Sequence, residues 1–341
     1  MGPRGTLACR EAECFQESAV SVRLIPLTSP KDWETALSRV SHGPAHTHWY
    51  NSALSLSVEG EIALFEYADD RSQAVCPLIL RRHGESVDIA TPYGIGGFAI
   101  GGECKGLPDD FRRFACTQGW ICGYLTVHPL SSHPFAPADG LEPGRTIYVL
   151  DLAMAESALL ASMHETHRYE IRRADELLRS VVTAPRRVAE ALPDLYAETR
   201  ARVGASDTYR FSQATLSAWI SSPGCLALGL GDPIQAAMIC LHTGDVADYF
   251  INASTDQGRK YTRILLWAAM RELKRLGIRH FNLGGGVRDG DQLDDFKRRF
   301  GARPLAMPVL KQVYHSEQFE ALCLQAAAVE RPGGYYPPYR Q

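Results

Sequence analysis

Residues 282–301 read NLGGGVRDGDQLDDFKRRFG. An apolar strand, Arg279 to Leu283, runs into three glycines, and after a polar, acidic stretch comes a short helix carrying Lys297, Arg298 and Arg299. Without a Cβ, glycine lets the backbone turn sharply at the end of a strand and come close to a ligand, although a loop that needs unusual dihedrals looks the same. Two phosphate cradles can be tested on spacing alone. A Walker loop needs Gly-x4-Gly-Lys-Ser/Thr, and no lysine follows a glycine here at that distance. A dinucleotide fingerprint starting at Gly284 needs glycine or alanine at 289, where Asp289 stands. Elsewhere Gly94-Ile95-Gly96-Gly97-Phe98-Ala99 fits GxGxxA formally, but no helix is expected to start there.

The helix after the glycines carries the chemistry. At 100° per residue Leu293, Phe296 and Phe300 share a face, with Lys297 only about 40° from Leu293. Arg298 and Arg299 each have an acid four residues earlier, Asp294 and Asp295, and so can form ordinary surface pairs. Lys297 has Leu293 at that position instead. A lysine beside an apolar stripe either snorkels to water or projects into a cleft where its charge is used.

Working outward, the first half is expected to hold a helix over Lys31–Val40 and strands near 54–59, 62–67, 74–81 and 87–90. The glycine-rich turn TPYGIGGFAIGG follows, then a helix at 109–117 and a strand at 121–127. The connector SSHPFAPADGLEPG marks a domain boundary. The second half is expected to open with a strand at 146–152 and a long helix over 156–179. Helices at 188–202 and 212–220 come next, then strands at 225–229, 235–242 and 247–252, and a helix at 262–276 ending at Gly277. Each half runs helix, antiparallel strands, helix, strand. That is a duplicated α+β unit, with domains at 22–145 and 146–325, a flexible N-terminus at 1–21 and a flexible tail at 326–341.

With 341 residues, 45% of them hydrophobic, 22% charged and a net charge of −3, the chain reads as a globular protein without a general polyanion-binding surface. No stretch has the length of a membrane span and the N-terminus is too charged for a signal peptide, so a cytoplasmic protein is expected, without a membrane partner. Nine scattered cysteines without a CxxC pair indicate neither a disulfide frame nor a zinc site. HETH, residues 164–167, is one residue short of HExxH, and no metal is expected.

The order of elements matches the GNAT acyltransferase fold, and several motifs resemble the FemABX aminoacyl-tRNA-dependent transferases. Asn282-Leu283-Gly284-Gly285-Gly286 followed by Asp295-Phe296-Lys297-Arg298-Arg299-Phe300-Gly301 is similar to that family's "DLGG…FK..FG" signature. TPYGIGG resembles its first-domain turn, YEIRRADE its Arg-rich helix, and Tyr209-Arg210-Phe211 stands where the family has a loop between two helices. The resemblance covers roughly residues 45–320. It implies two tandem GNAT-like domains sharing a cleft, without the coiled-coil arm of some members. It further implies a monomer that needs no cofactor and moves an amino acid from charged tRNA to an amine. Phe296 and Lys297 would then sit at the aminoacyl ester, and Arg210 at an anionic part of the acceptor. Tyr209, Asn252, Tyr261, Asn282, Gly284 and Gly285 would complete the substrate site. Arg168, Arg172, Arg173, Arg298, Arg299 and Arg303 are candidate phosphate contacts for the tRNA, against the alternative of a solvated charged face.

Residues 50–60, YNSALSLSVEG, lack the lysine or arginine that binders of nucleotide-linked muropeptides carry there. This favours a small peptide or antibiotic intermediate over a peptidoglycan precursor as acceptor. No residue stands out as the general base: the acceptor's own carboxylate could serve, and His280 reads as structural more readily than as a helper. The rival enzyme class, an acyl-CoA N-acyltransferase, needs a glycine-rich amide cradle after the strand at 247–252. There the chain reads STDQGRKYTR, with Lys260 where that loop needs glycine. A non-catalytic binding protein is the third alternative.

Overall fold

The computed structural model describes residues 20–130, 140–206, 210–286, 290–329 and 334–340. Twelve strands form one sheet: β1 (Ser21–Pro26), β2 (Glu61–Ala68), β3 (Gln73–His83), β4 (Ser86–Ala90), β5 (Ala99–Gly101), β6 (Trp120–Thr126), β7 (Leu141–Asp151), β8 (Cys225–Leu230), β9 (Ala236–Thr243), β10 (Val246–Ser254), β11 (His280–Asn282) and β12 (Arg303–Val313). The order across it is β1-β2-β3-β4-β6-β12-β7-β11-β10-β9-β8, with β5 on β3 off the main path. Every pairing is antiparallel except β4 with β6 and β10 with β11. The sheet therefore contains the same unit twice: β2-β3-β4-β6 closed by β12, and β8-β9-β10-β11 closed by β7.

Strand β12, absent from the sequence expectation, is what joins the units, since it pairs with β6 on one side and β7 on the other. Its two prolines disguise it, because proline cannot donate to a ladder and is tolerated only where pairing is interrupted. Pro308 sits where the register shifts between Met307 and Val309. The boundary expected at 145/146 falls inside β7, whose first residues pair with β12. Strand β1 likewise has no counterpart in the sequence expectation, and its pairing with β2 extends the first unit outward.

Of the apolar clusters, the three largest fill the first unit, the second unit and the space between them. Phe65, Phe98 and Phe111 meet edge to face in the first unit. Between the units Tyr50 stacks on Trp219 at 5.5 Å, and the Trp219 indole donates to the Tyr50 carbonyl at 3.2 Å. The strand expected at 54–59 is instead the end of the helix His48–Leu54 and a turn, because the Thr47 side chain caps that helix by accepting from Tyr50 N.

The long helix expected over 156–179 is three helices, Glu156–Ser162, Glu165–Arg172 and Asp175–Arg179. Met163 and His164 are extended, and the carbonyls of Ala161 and Met163 accept from Arg168. The break lets Met163, His167 and Ile171 all turn inward. Of the tail expected to be flexible, 326–341, the described residues 326–329 are mostly exposed, whereas 334–340 pack back onto the first unit. Tyr336 and Tyr339 are buried, while the Tyr339 hydroxyl and Arg340 Nε both donate to Asp88, at 3.0 and 2.6 Å. The expected flexible arm at 1–21 lies almost wholly outside the described residues.

Candidate active site

The second unit opens where its parallel strands part. The last register pair of β10 and β11 is Asp248 with Asn282. Beyond it β10 stays with β9 as far as Ser254, whereas the chain after β11 follows β7: Leu283 N donates to Tyr148 O at 2.7 Å and Tyr148 N to Gly284 O at 3.1 Å. The backbone that would have bridged these strands is therefore turned away on both sides. Gly285 lies so close to β7 that an added Cβ would stand 2.2 Å from the Thr146 carbonyl oxygen, which is a structural reason for one of the three glycines.

The helix Gln292–Arg298 folds back onto this loop. Asp291 caps it, accepting from Leu293 N and Asp294 N at 2.9 Å each. Asp294 is buried, and its two oxygens accept from Gly286 N and Gly290 N, both at 2.7 Å, so it pins the loop at two points. It is thus not the surface partner of Arg298 that the spacing offered: Arg298 and Arg299 both pair with Asp295, at 3.5 and 2.6 Å. The apolar stripe is also shorter than expected. Phe300 is buried and Phe296 half-buried, while Leu293 is 38% exposed.

Lys297 is 4% exposed and its ammonium donates to the Gly285 carbonyl at 2.5 Å. No carboxylate lies within ion-pair distance of it among the described residues. Burial lowers its pKa to about 8, with Asp294 and Asp291 pulling the other way and Arg145 reinforcing the drop. The lysine does not snorkel. It is an inward, weakly compensated cation beside Gly284, where an added Cβ would stand 3.4 Å from Nζ.

Asn282 is buried, donates to Asp248 Oδ1 at 2.7 Å and accepts from Gly284 N at 2.8 Å. Asp248 is absent from the sequence expectation, although an acid inside the mostly apolar strand VADYFINAS is a usable signal. Burial raises its carboxyl to about 7, partly offset by the Asn282 bond. His167, which the sequence marks only as the second histidine of HETH, packs against Phe300 and Phe296 with ring centroids 4.6 and 5.6 Å apart.

The other expected residues divide. Asn252 donates weakly to Thr262 Oγ1 at 3.4 Å, and its buried carbonyl oxygen has no partner among the described residues. Tyr261 lines a separate groove with Arg187, Gly231 and Asp232, none of them on β11 or the Lys297 helix. Tyr209 lies outside the described residues. Arg210 is exposed, next to Phe211, whose ring meets Tyr93 of the first unit at 5.1 Å. Arg168 is committed to capping carbonyls. Arg172, Arg173, Arg298 and Arg303 are exposed on elements adjoining the site, and Arg299 is half-exposed and paired. Among the described residues no group of three or more His, Cys, Asp or Glu side chains could hold a metal, and no helix is long and apolar enough to cross a membrane.

A family profile described as "Acetyltransferase (GNAT) domain" matches residues 161–298, the part of the second unit that contains this site. The structure resembles that of FemX at 11% identity, with a TM-score of 0.65 over 86% of this chain and 98% of that one. It also resembles L-PGS from Bacillus licheniformis, at 14% identity and a TM-score of 0.53, over 84% and 92% of the two chains. No curated protein sequence matches significantly. Identities this low establish the fold: two tandem GNAT-like units in the arrangement of FemX, as the FemABX-like motifs implied.

Proposed function

We propose that the protein is an aminoacyltransferase that moves an amino acid from charged tRNA to the amine of a small peptide or peptide-like acceptor. The observation that carries this reading is Lys297, an ammonium held inward at the parting of β10 and β11. Attack of an amine on an ester carbonyl places negative charge first on the carbonyl oxygen and then on the departing ribose oxygen. A positioned cation at that point is worth about 3 kcal/mol to the transition state. The reaction runs downhill from the ester, so no nucleotide hydrolysis is needed. The arginines on the neighbouring elements supply positive charge for the phosphates of the acceptor stem.

The acyl-CoA reading draws on the name of the matching profile. Against it stands the loop after β10, where pyrophosphate would need free amides. Thr255 N donates to Gln235 O, Asp256 N to Glu198, Gly258 N to the Thr255 hydroxyl and Arg259 N to Asp256 O. Purified protein mixed with a pool of aminoacylated tRNAs and an acceptor peptide is expected to form an amide that RNase pretreatment abolishes. Product that persists after RNase while acetyl-CoA is consumed assigns the protein to the rival class.

A further inference from the structure

Transfer to an amine leaves one proton to be placed. Near neutral pH the acceptor nitrogen is an ammonium, and it must lose a proton before its lone pair can attack. On β10, Ala247 and Tyr249 pack into the core beneath the helix Thr262–Arg275, so Asp248 between them projects from the opposite face, toward the first unit. It is 7% exposed, and apart from the bond from Asn282 its carboxylate makes no hydrogen bond among the described residues. Tyr50, Tyr93 and Phe250 gather on that side, with Phe250 5.7 Å from each tyrosine ring. The Tyr50 hydroxyl is spent on the Tyr93 carbonyl and cannot serve Asp248. From Asp248 a run of contacts passes through Asn282 to Gly284, beside Lys297. Carboxylate and ammonium are thus connected through the end of β11, Asp248 by way of Asn282 and Lys297 by way of Gly284 and Gly285.

We propose that Asp248 is the acceptor's partner: it holds the attacking ammonium and takes its proton, while half-buried Tyr93 and Phe250 pack on the carbon chain next to that nitrogen. The acceptor class is a primary amine on a short, largely apolar or peptide backbone. This rests on the transfer reading above. In the step, the ammonium gives one proton to Asp248 and the freed lone pair forms the C–N bond. The carbonyl electrons move onto oxygen, toward Lys297. Collapse breaks the C–O bond, the ribose oxygen takes the second N–H proton, and Asp248 releases its proton to water. The products are one amide, one free tRNA hydroxyl and one proton.

Burial sets the two side chains for this task, the carboxyl at about 7 and the ammonium at about 8. Among the described residues, the titratable groups whose charge reaches Asp248 are Tyr50, from the helix His48–Leu54, and Cys240, on β9. Burial raises both well above their usual values, so both stay neutral across that window, and Asn282 on β11 carries no charge.

The test compares the wild-type chain with Asp248→Asn, which keeps an acceptor for the Asn282 bond, using a charged tRNA pool and a panel of primary-amine acceptors. The wild-type rate is expected to rise with pH through about 7 and fall above about 8. In Asp248→Asn the rising limb disappears and kcat/KM for the acceptor drops about a hundredfold at pH 7.5, as loss of a general base does. Affinity for charged tRNA and the thermal midpoint do not fall, and Asp248→Glu recovers part of the limb. A rising limb that survives in Asp248→Asn with an unchanged acceptor KM overturns the proposal. If the wild type proves insensitive to RNase and draws on acyl-CoA, the tRNA reading has failed; the same comparison on that donor still decides whether Asp248 takes the amine's proton.

Discussion

The two parallel strand pairs, β4 with β6 and β10 with β11, part at corresponding places in the two units and are filled differently. In the first unit the opening is closed by its own chain. The Thr91 and Thr126 hydroxyls meet at 3.1 Å, and Gly97 lies so tightly on β6 that a Cβ would stand 2.0 Å from the Thr126 carbonyl oxygen. His46 and His128 are buried beside it, and burial holds their pKa values at about 4 and about 3. In the second unit the opening is bordered by Asp248, Asn282 and Lys297. A duplicated fold brings two openings; sealing one with a glycine turn makes it a wall, and that wall sends Tyr93 across to Phe211 and Phe250 of the other.

The largest effect expected is on the joint itself. Trp219→Ala removes a fully buried indole stacked between the units and should cost about 3–5 kcal/mol, with both units still melting in one transition. Two separated transitions in a denaturant titration would mean that the units are independent bodies and that the comparison is of neighbours. Next comes the charge in the open cleft. Lys297→Ala is expected to lower turnover about a hundredfold or more without lowering the thermal midpoint. Thr91→Val, in the closed cleft, should leave the rate unchanged. A wild-type rate for Lys297→Ala would make the glycine loop and its helix purely structural.

The smallest effect belongs to the sealed cleft. His46 and His128 have folded pKa values below the unfolded value of about 6.5, so the unfolded chain binds protons first as pH falls through that value. Their stabilisation is complete above about pH 6.5 and is lost progressively toward pH 4. By pH 5.5 the loss should reach about 1 kcal/mol per imidazole. Denaturant midpoints measured at pH 7 and pH 5.5 check this, and identical midpoints would mean that the seal is wet.

Much of the second unit was legible because its signals are local. The helices from 188 to 220, the strands from 225 to 252 and the helix Thr262–Arg275 follow from hydrophobic period and a glycine stop. Lys297 could be singled out because its two basic neighbours had acids one turn back and it had none. The remainder depended on partners distant in sequence. The prolines of β12 hide a strand that two other strands hold in place, and the break at Met163 is set by inward packing. Asp294 looks like a surface acid until the glycine loop lies over it, and Tyr339 and Arg340 are tail residues until Asp88 receives them.

By itself the sequence determined the alternation of helix and strand, the duplication, and the glycine-rich bend followed by an unpaired lysine. These are consequences of side-chain period and backbone freedom within a few residues. Only the tertiary structure decided that Lys297 turns inward and that Asp248 stands at the same opening. Burial, register and the loss of hydration that shifts both pKa values exist only once β7, β10, β11 and the first unit have come together.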